Sequence, residues 1–170
     1  MEIKEYIGVE LDNARRHINR VLKGLTIPEL TWRPACGCNS IGLILFHIAR
    51  TEDSLIHNMM QGKSEVWQTG KWHQKLNKSA DDVGAHYTVE QVNAFVMPPL
   101  EDVLAYYDAV SAATRKYVET LTPASFDKKF TTPHWGEVTL AFLFALTIGH
   151  ALDHVGEISY LRGLQRGMDK

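Results

Sequence analysis

The sequence predicts an all-α fold, a four-helix bundle. Three observations lead there. Four long segments repeat apolar residues at helical spacing, no segment sustains the two-residue alternation of a strand, and Gly, Pro and N-cap residues stand where those segments would start and stop. At 170 residues the chain fits a single domain spanning 1–170, long enough to bury a core without disulfide staples.

The first helix, Ile3 to about Leu25, places Ile3, Ile7, Leu11, Ala14, Ile18, Val21 and Leu25 on one face, with Lys, Arg and Glu opposite. Gly24 and Pro28 end it, and Leu30 to Cys38 reads as a loop with Trp32 as its aromatic anchor. Asn39 or Ser40 suits the N-cap of a second helix, because a short oxygen-bearing side chain can accept from the free N–H groups of the first turn. That helix carries Ile41, Ile44, Leu45, Ile48, Leu55 and Met59 and ends near Gly62. Lys63 to Val96 has no sustained period and reads as a long excursion holding short helices, with Trp67 and Trp72 as anchors or as walls of a pocket. Pro98 and Pro99 suit a third helix entry, where few N–H donors are needed. Its stripe runs Leu100, Val103, Leu104, Tyr107, Val110, Thr114, Tyr117, Val118 and Leu121, and Pro123 closes it. A short link, Ser125 to Trp135, leads to a last helix over Gly136–Gly163, with Leu140, Leu143, Thr147, His150, His154, Ile158 and Leu161 facing inward. Short 1–2 and 3–4 links predict antiparallel neighbours, and the 2–3 connection is long enough to cross the bundle. An up-down-down-up course fits, as does up-down-up-down.

The composition is that of a soluble globular protein, with 45% hydrophobic and 22% charged residues. A net charge of -2 offers no basic field for a phosphate backbone, so nucleic acid is not an expected partner. The longest apolar run, Val138 to Leu146, is too short to span a bilayer, and the opening Met-Glu-Ile-Lys-Glu lacks a signal peptide's apolar stretch. Cys36 and Cys38 have neither good disulfide spacing nor the C-x-x-C redox pattern. They read as buried, inert thiols of a reducing, cytoplasmic protein.

Chemistry concentrates in the histidines. His150 and His154 are one turn apart on the apolar face of the last helix, where hydrogen bonds or a metal must satisfy them. His47 lies at the edge of the second helix's apolar stripe, beside Ile44 and Ile48. Two imidazoles from one helix and one from another can form three corners of a metal site that water completes. Such a set suits zinc, nickel, iron(II) or copper. His17 reads as a hydrogen-bonded residue at the core edge, and His57, ten residues past His47, as a surface residue. His73 and His134 read as loop residues, Met59 and Met60 as core. Arg162 favours the helix end and is poorly spaced to pair with Glu157.

Two segments carry a resemblance. Asn39-Ser40-Ile41-Gly42-x-Ile44-Leu45-Phe46-His47-Ile48-Ala49-x-x-Glu52 resembles the second-helix signature of the DinB/YfiT-like superfamily. His150-x-x-x-His154-x-Gly156-Glu157-Ile158-x-x-Leu161-Arg162-Gly163-Leu164 resembles its final helix. Leu30-x-Trp32-Arg33-Pro34 is similar to the loop before that second helix. The resemblance implies a four-helix bundle, often homodimeric, in which His47 joins His150 and His154 around one divalent metal ion. Zinc or nickel is foremost and iron an alternative. Relatives include transferases and isomerases that use bacillithiol or mycothiol. The expectation is a metal-dependent enzyme that transfers a low-molecular-weight thiol to a small electrophilic substrate, without nucleic acid or membrane. The alternatives are a metal-dependent hydrolase, or a metal-binding or structural bundle without catalysis. Where the family usually has Gln, this chain has Glu157, which could strengthen the metal site, act as a catalytic base or cap an interface.

Overall fold

The computed structural model describes residues 2–167. Four long helices form its frame: α1 (Ile3–Leu22), α3 (Ile41–Asp53), α7 (Leu100–Glu119) and α8 (Leu140–Arg166). Ser40 caps α3, its hydroxyl accepting the Leu43 N–H at 3.3 Å. Past Asp53 the helix continues as a π-helical segment, Ser54–Met60. Between the long helices lie α2 (Ile27–Thr31), α4 (Val66–Thr69), α5 (Trp72–Lys75) and α6 (Val89–Ala94), so the excursion after α3 is built of short helices. None of the described helices is long and apolar enough to cross a membrane.

The core has two parts. One joins Ile18, Leu30, Ile41, Leu45, Trp67, Tyr106 and Ile158, and the other joins Ile7, Ile56, Met60, Phe126, Leu143 and Phe144. Trp67 is fully buried and anchors the excursion, its indole N–H donating to the Ala80 carbonyl at 3.0 Å. The principal helix contacts are α1 with α8, α8 with α3, α3 with α7, and α7 with α1. The predicted 1–2 and 3–4 neighbours are therefore not the main pairs. Residues 23–40 and 120–139 contain ordered elements of their own, which gives those links the reach to join other corners.

Several expectations are corrected. The last helix starts at Leu140, because Lys129–Thr132 (β1) and Gly136–Thr139 (β2) form an antiparallel hairpin with Phe130 opposite Val138. Strands of four residues carry too little alternation to stand out in sequence. Trp32 is 37% exposed; Leu30, on α2, is the buried anchor there. Cys36 is an exposed thiol and Cys38 a half-buried one. Met60 is in the core but Met59 is exposed. His57 is buried, not on the surface. Its expected position assumed uniform α-helical phase, whereas the π-helical segment bonds i to i+5 and rotates every side chain after Asp53.

Candidate metal centre

α3 and α8 pack along their apolar faces and bring His47 opposite His150 and His154. His47 Nε2 lies 2.9 Å from His150 Nε2, which in turn lies 3.1 Å from His154 Nε2. One ligand atom from each of the three falls within 4.8 Å of the others. Three nitrogens each ~2.0–2.1 Å from a tetrahedral ion stand roughly 3.4 Å apart, so this spacing suits a single small cation.

The outer nitrogens fix the chemistry of the inner ones. His47 Nδ1 is 2.8 Å from the Gly84 carbonyl oxygen, which can only accept, so Nδ1 carries the proton and Nε2 presents a lone pair. His154 Nδ1 is 2.7 Å from Glu157 Oε2, with the same consequence. His150 Nε2 thus faces two lone pairs, and a single N–H there can satisfy only one of them. A cation satisfies all three nitrogens at once, and the outer carbonyl and carboxylate are the partners that metal-bound histidines usually have. Glu157 reaches the triad only through the far side of His154, and its side chain is 53% exposed.

Burial, reinforced by His154 and His47, pushes the His150 ring down to about 3. His47 is also lowered, chiefly by burial. Both are therefore neutral near pH 7, the form that binds metal. The unfolded imidazole of His150 titrates near 6.5, so between that pH and about 3 the unfolded chain binds more protons. The metal-free protein should have this contribution in full above pH 6.5 and lose it progressively as the pH falls toward 3. Thermal melts across that window check it, and His150→Gln should flatten the profile.

The excursion supplies the triad's outer support. Gly84 has a φ of +69°, and a Cβ there would lie 2.7 Å from Arg50 Cβ and Cγ. Only glycine fits this approach, which puts the Gly84 carbonyl on His47. Asp82 shapes the turn: its Oδ1 accepts the Gly84 N–H at 2.8 Å and the Tyr87 hydroxyl at 2.5 Å. Its carbonyl accepts from Arg50 Nε at 3.0 Å. Arg50 is 2% exposed and also donates to Glu65 Oε2 at 2.7 Å and the Tyr106 hydroxyl at 2.9 Å. His86 takes a φ of 59°, uncommon for a residue with a side chain, at the edge of a cavity of about 220 Å³ beside the triad. Leu43, Ile44, Tyr87 and Val92 wall that cavity, and among the described residues no carboxylate lines it.

Sequence reasoning missed Arg50, Asp82, Gly84, His86 and Tyr87. The available signal was Arg50, a charged residue inside the most apolar part of α3. His17, His73 and His134 stand apart from the triad. His17 is half-buried, His134 is exposed against Trp135, and His73 lies with Nδ1 3.3 Å from the Trp67 carbonyl. Trp67 and Trp72 pack around Tyr106, away from the cavity. Arg162 donates to the Val21 and Lys23 carbonyls at the end of α1, at 3.2 and 2.9 Å.

The sequence profile of the DinB superfamily matches residues 10–158. Among solved structures, the chain is similar to the crystal structure of a conserved protein from Enterococcus faecalis, with a TM-score of 0.83 and 22% identity over 96% of this chain and 97% of that one. That likeness concerns the fold. No curated protein matches the sequence.

Proposed function

From the premise that the chain belongs to the DinB superfamily, we propose a metal-dependent enzyme that joins a low-molecular-weight thiol to a small electrophile. The observation that carries this reading is the convergence of three imidazole Nε2 atoms beside a cavity without a carboxylate. His47, His150 and His154 would hold one divalent ion, zinc or nickel foremost and iron an alternative. When bound, such an ion favours thiolate over thiol and so keeps a sulfur nucleophile at neutral pH.

The chain's own residues do the rest. Gly84 and Glu157 hold the His47 and His154 rings in the tautomer that leaves Nε2 free. Leu43, Ile44 and Val92 give the electrophile an apolar seat and limit its size. The same three ligands would serve a metal-activated water, so hydrolysis is the alternative reading; Glu157 is engaged behind His154 and is not placed in the cavity as its base. We read Glu157 as a positioning residue.

The test is conjugation of 1-chloro-2,4-dinitrobenzene by metal-loaded protein with a panel of small thiols. A new carbon–sulfur bond should form as chloride leaves, and His47→Ala should abolish the reaction. No thiol consumed by any pair, or equal rates in that variant, would sink the reading.

Two wider readings accompany it. We take the long helices to run up-down-down-up. Arg162 and Arg166 of α8 reach the carbonyls that end α1, while Arg115 and Asp108 of α7 pair with Asp12 and Arg15 of α1 in reverse order. We also take the protein to be a cytoplasmic homodimer. The free Cys36 and Cys38 support a reducing compartment, and exposed Tyr160 and Leu164 support a covered face.

A further inference from the structure

A second cavity, of about 550 Å³, lies between the π-helical end of α3 and the last turns of α7. Its volume falls within the usual range for small-molecule sites. Met60 and Tyr117 give it an apolar floor, while Lys63, Lys116 and Lys128 stand around it, and among the described residues no carboxylate lines it. Lys63 donates to Gln61 Oε1 at 3.0 Å and Lys128 lies 4.9 Å from the Phe130 ring centre, so neither is held by an acid in those contacts. Three cations in one recess repel one another and attract an anion.

His57 is the deep wall of this recess, and only 6% of it is exposed. Nδ1 lies 2.9 Å from Asp53 Oδ1 but is poorly aligned with it, and Nε2 has no hydrogen-bond partner among the described residues. A buried imidazole nitrogen left this way is uncommon in a native protein and calls for a ligand or a water. Asp53 cannot turn to serve it better. Its oxygens already accept the Val66 and Trp67 N–H groups, both at 2.8 Å, and the Tyr106 hydroxyl at 2.7 Å. Local π-helical turns occur frequently at functional sites, and this one is what turns His57 inward.

We propose that this recess binds a small amphipathic oxyanion, a phosphate or carboxylate carrying an aromatic or short aliphatic body. The lysines would hold the charge and Met60 and Tyr117 the apolar part. The His57 ring, which walls the deep end of the recess, would lie against the bound anion. The site is independent of the histidine triad. Ten helical residues separate His57 from His47, roughly 15 Å of rise.

Calorimetric titration of the metal-loaded full chain with phenyl phosphate and, separately, phenylacetate tests it, with NMR of the His57 ring nitrogens as a second readout. Saturable binding of either ligand supports the site and names the anion. The expected accompaniments are a shift of the Nε2 resonance, unchanged metal content, and affinity weakened roughly tenfold or more in the K116E/K128E double variant. Both lysines are exposed, so that variant should fold even where His57→Gln does not. Absence of saturable binding at millimolar ligand overturns the proposal, and so does binding that is unaffected by K116E/K128E. Binding seen with the metal-loaded chain but lost in the metal-free one would place the anion at the triad and also overturns it. None of these outcomes depends on thiol transfer.

Discussion

His150→Ala is expected to weaken metal binding by more than a hundredfold. The free energy of four-ligand structural zinc sites, ~10–16 kcal/mol, shared over four ligands gives about 3 kcal/mol for each. That is roughly two powers of ten in affinity. His150 is the ring to remove because its Nε2 is the one within 3.1 Å of both other nitrogens. The two remaining imidazoles cannot close around one ion from a single side. Elemental analysis after desalting, followed by competition with a chelating dye, measures the loss. His17→Ala, on a half-buried histidine outside the triad, should leave the affinity unchanged. Glu157→Ala should cost about 10–100-fold, the usual range for the outer partner of a ligating histidine. Glu157→Gln should cost less, since an amide oxygen can still accept from His154 Nδ1. Full metal occupancy in His150→Ala would show that the three histidines are not the ligand set.

What was legible in the sequence follows from the range over which each signal acts. The His150–His154 pair needs only the pitch of one helix and the position of its apolar stripe. His47 sits on a different helix, so spacing could make it a candidate but could not join it to the pair; the resemblance did that. The excursion was legible as irregular and no further. Its ordering depends on Arg50, Asp53 and Trp67 meeting residues 13 to 32 positions away in the chain, and such meetings leave no period. The hairpin before α8 was hidden for a different reason, its strands being too short to alternate visibly. His57 shows a third kind of limit. Its phase was counted on a regular helix, and a single π-helical segment moved it from solvent into a wall.

Arg50→Met should be the most destabilising single substitution among those considered, at about 3–5 kcal/mol. The side chain nearly fits by volume, so the cost comes from charge. Arg50 is 2% exposed and its removal leaves Asp53, fully buried, and Glu65, nearly so, without their cation. Burial raises the Asp53 carboxyl, but the nearby His57 ring, the Tyr106 hydroxyl and the Val66 and Trp67 amides outweigh it and keep the group ionised. It cannot escape the cost by taking up a proton at neutral pH. For a domain of this size the loss corresponds to a fall of ~6–20 °C in the melting temperature. Arg50→Lys should recover little, because one ammonium cannot reach Asp82, Glu65 and Tyr106 from a single position. The double variant Arg50→Met with Glu65→Leu should regain part of the loss by removing one stranded carboxylate. The effect should also reach the histidines. Without the Nε donor the Asp82 carbonyl is free, the Gly84 turn loses its anchor, and His47 loses the fixed acceptor on Nδ1. Metal affinity, measured below the lowered melting temperature, should then fall by about tenfold even though no ligand has changed. A variant that melts lower yet binds metal as before would confine Arg50 to holding the excursion. One that melts within a degree or so of the parent would mean that the buried carboxylates find another partner.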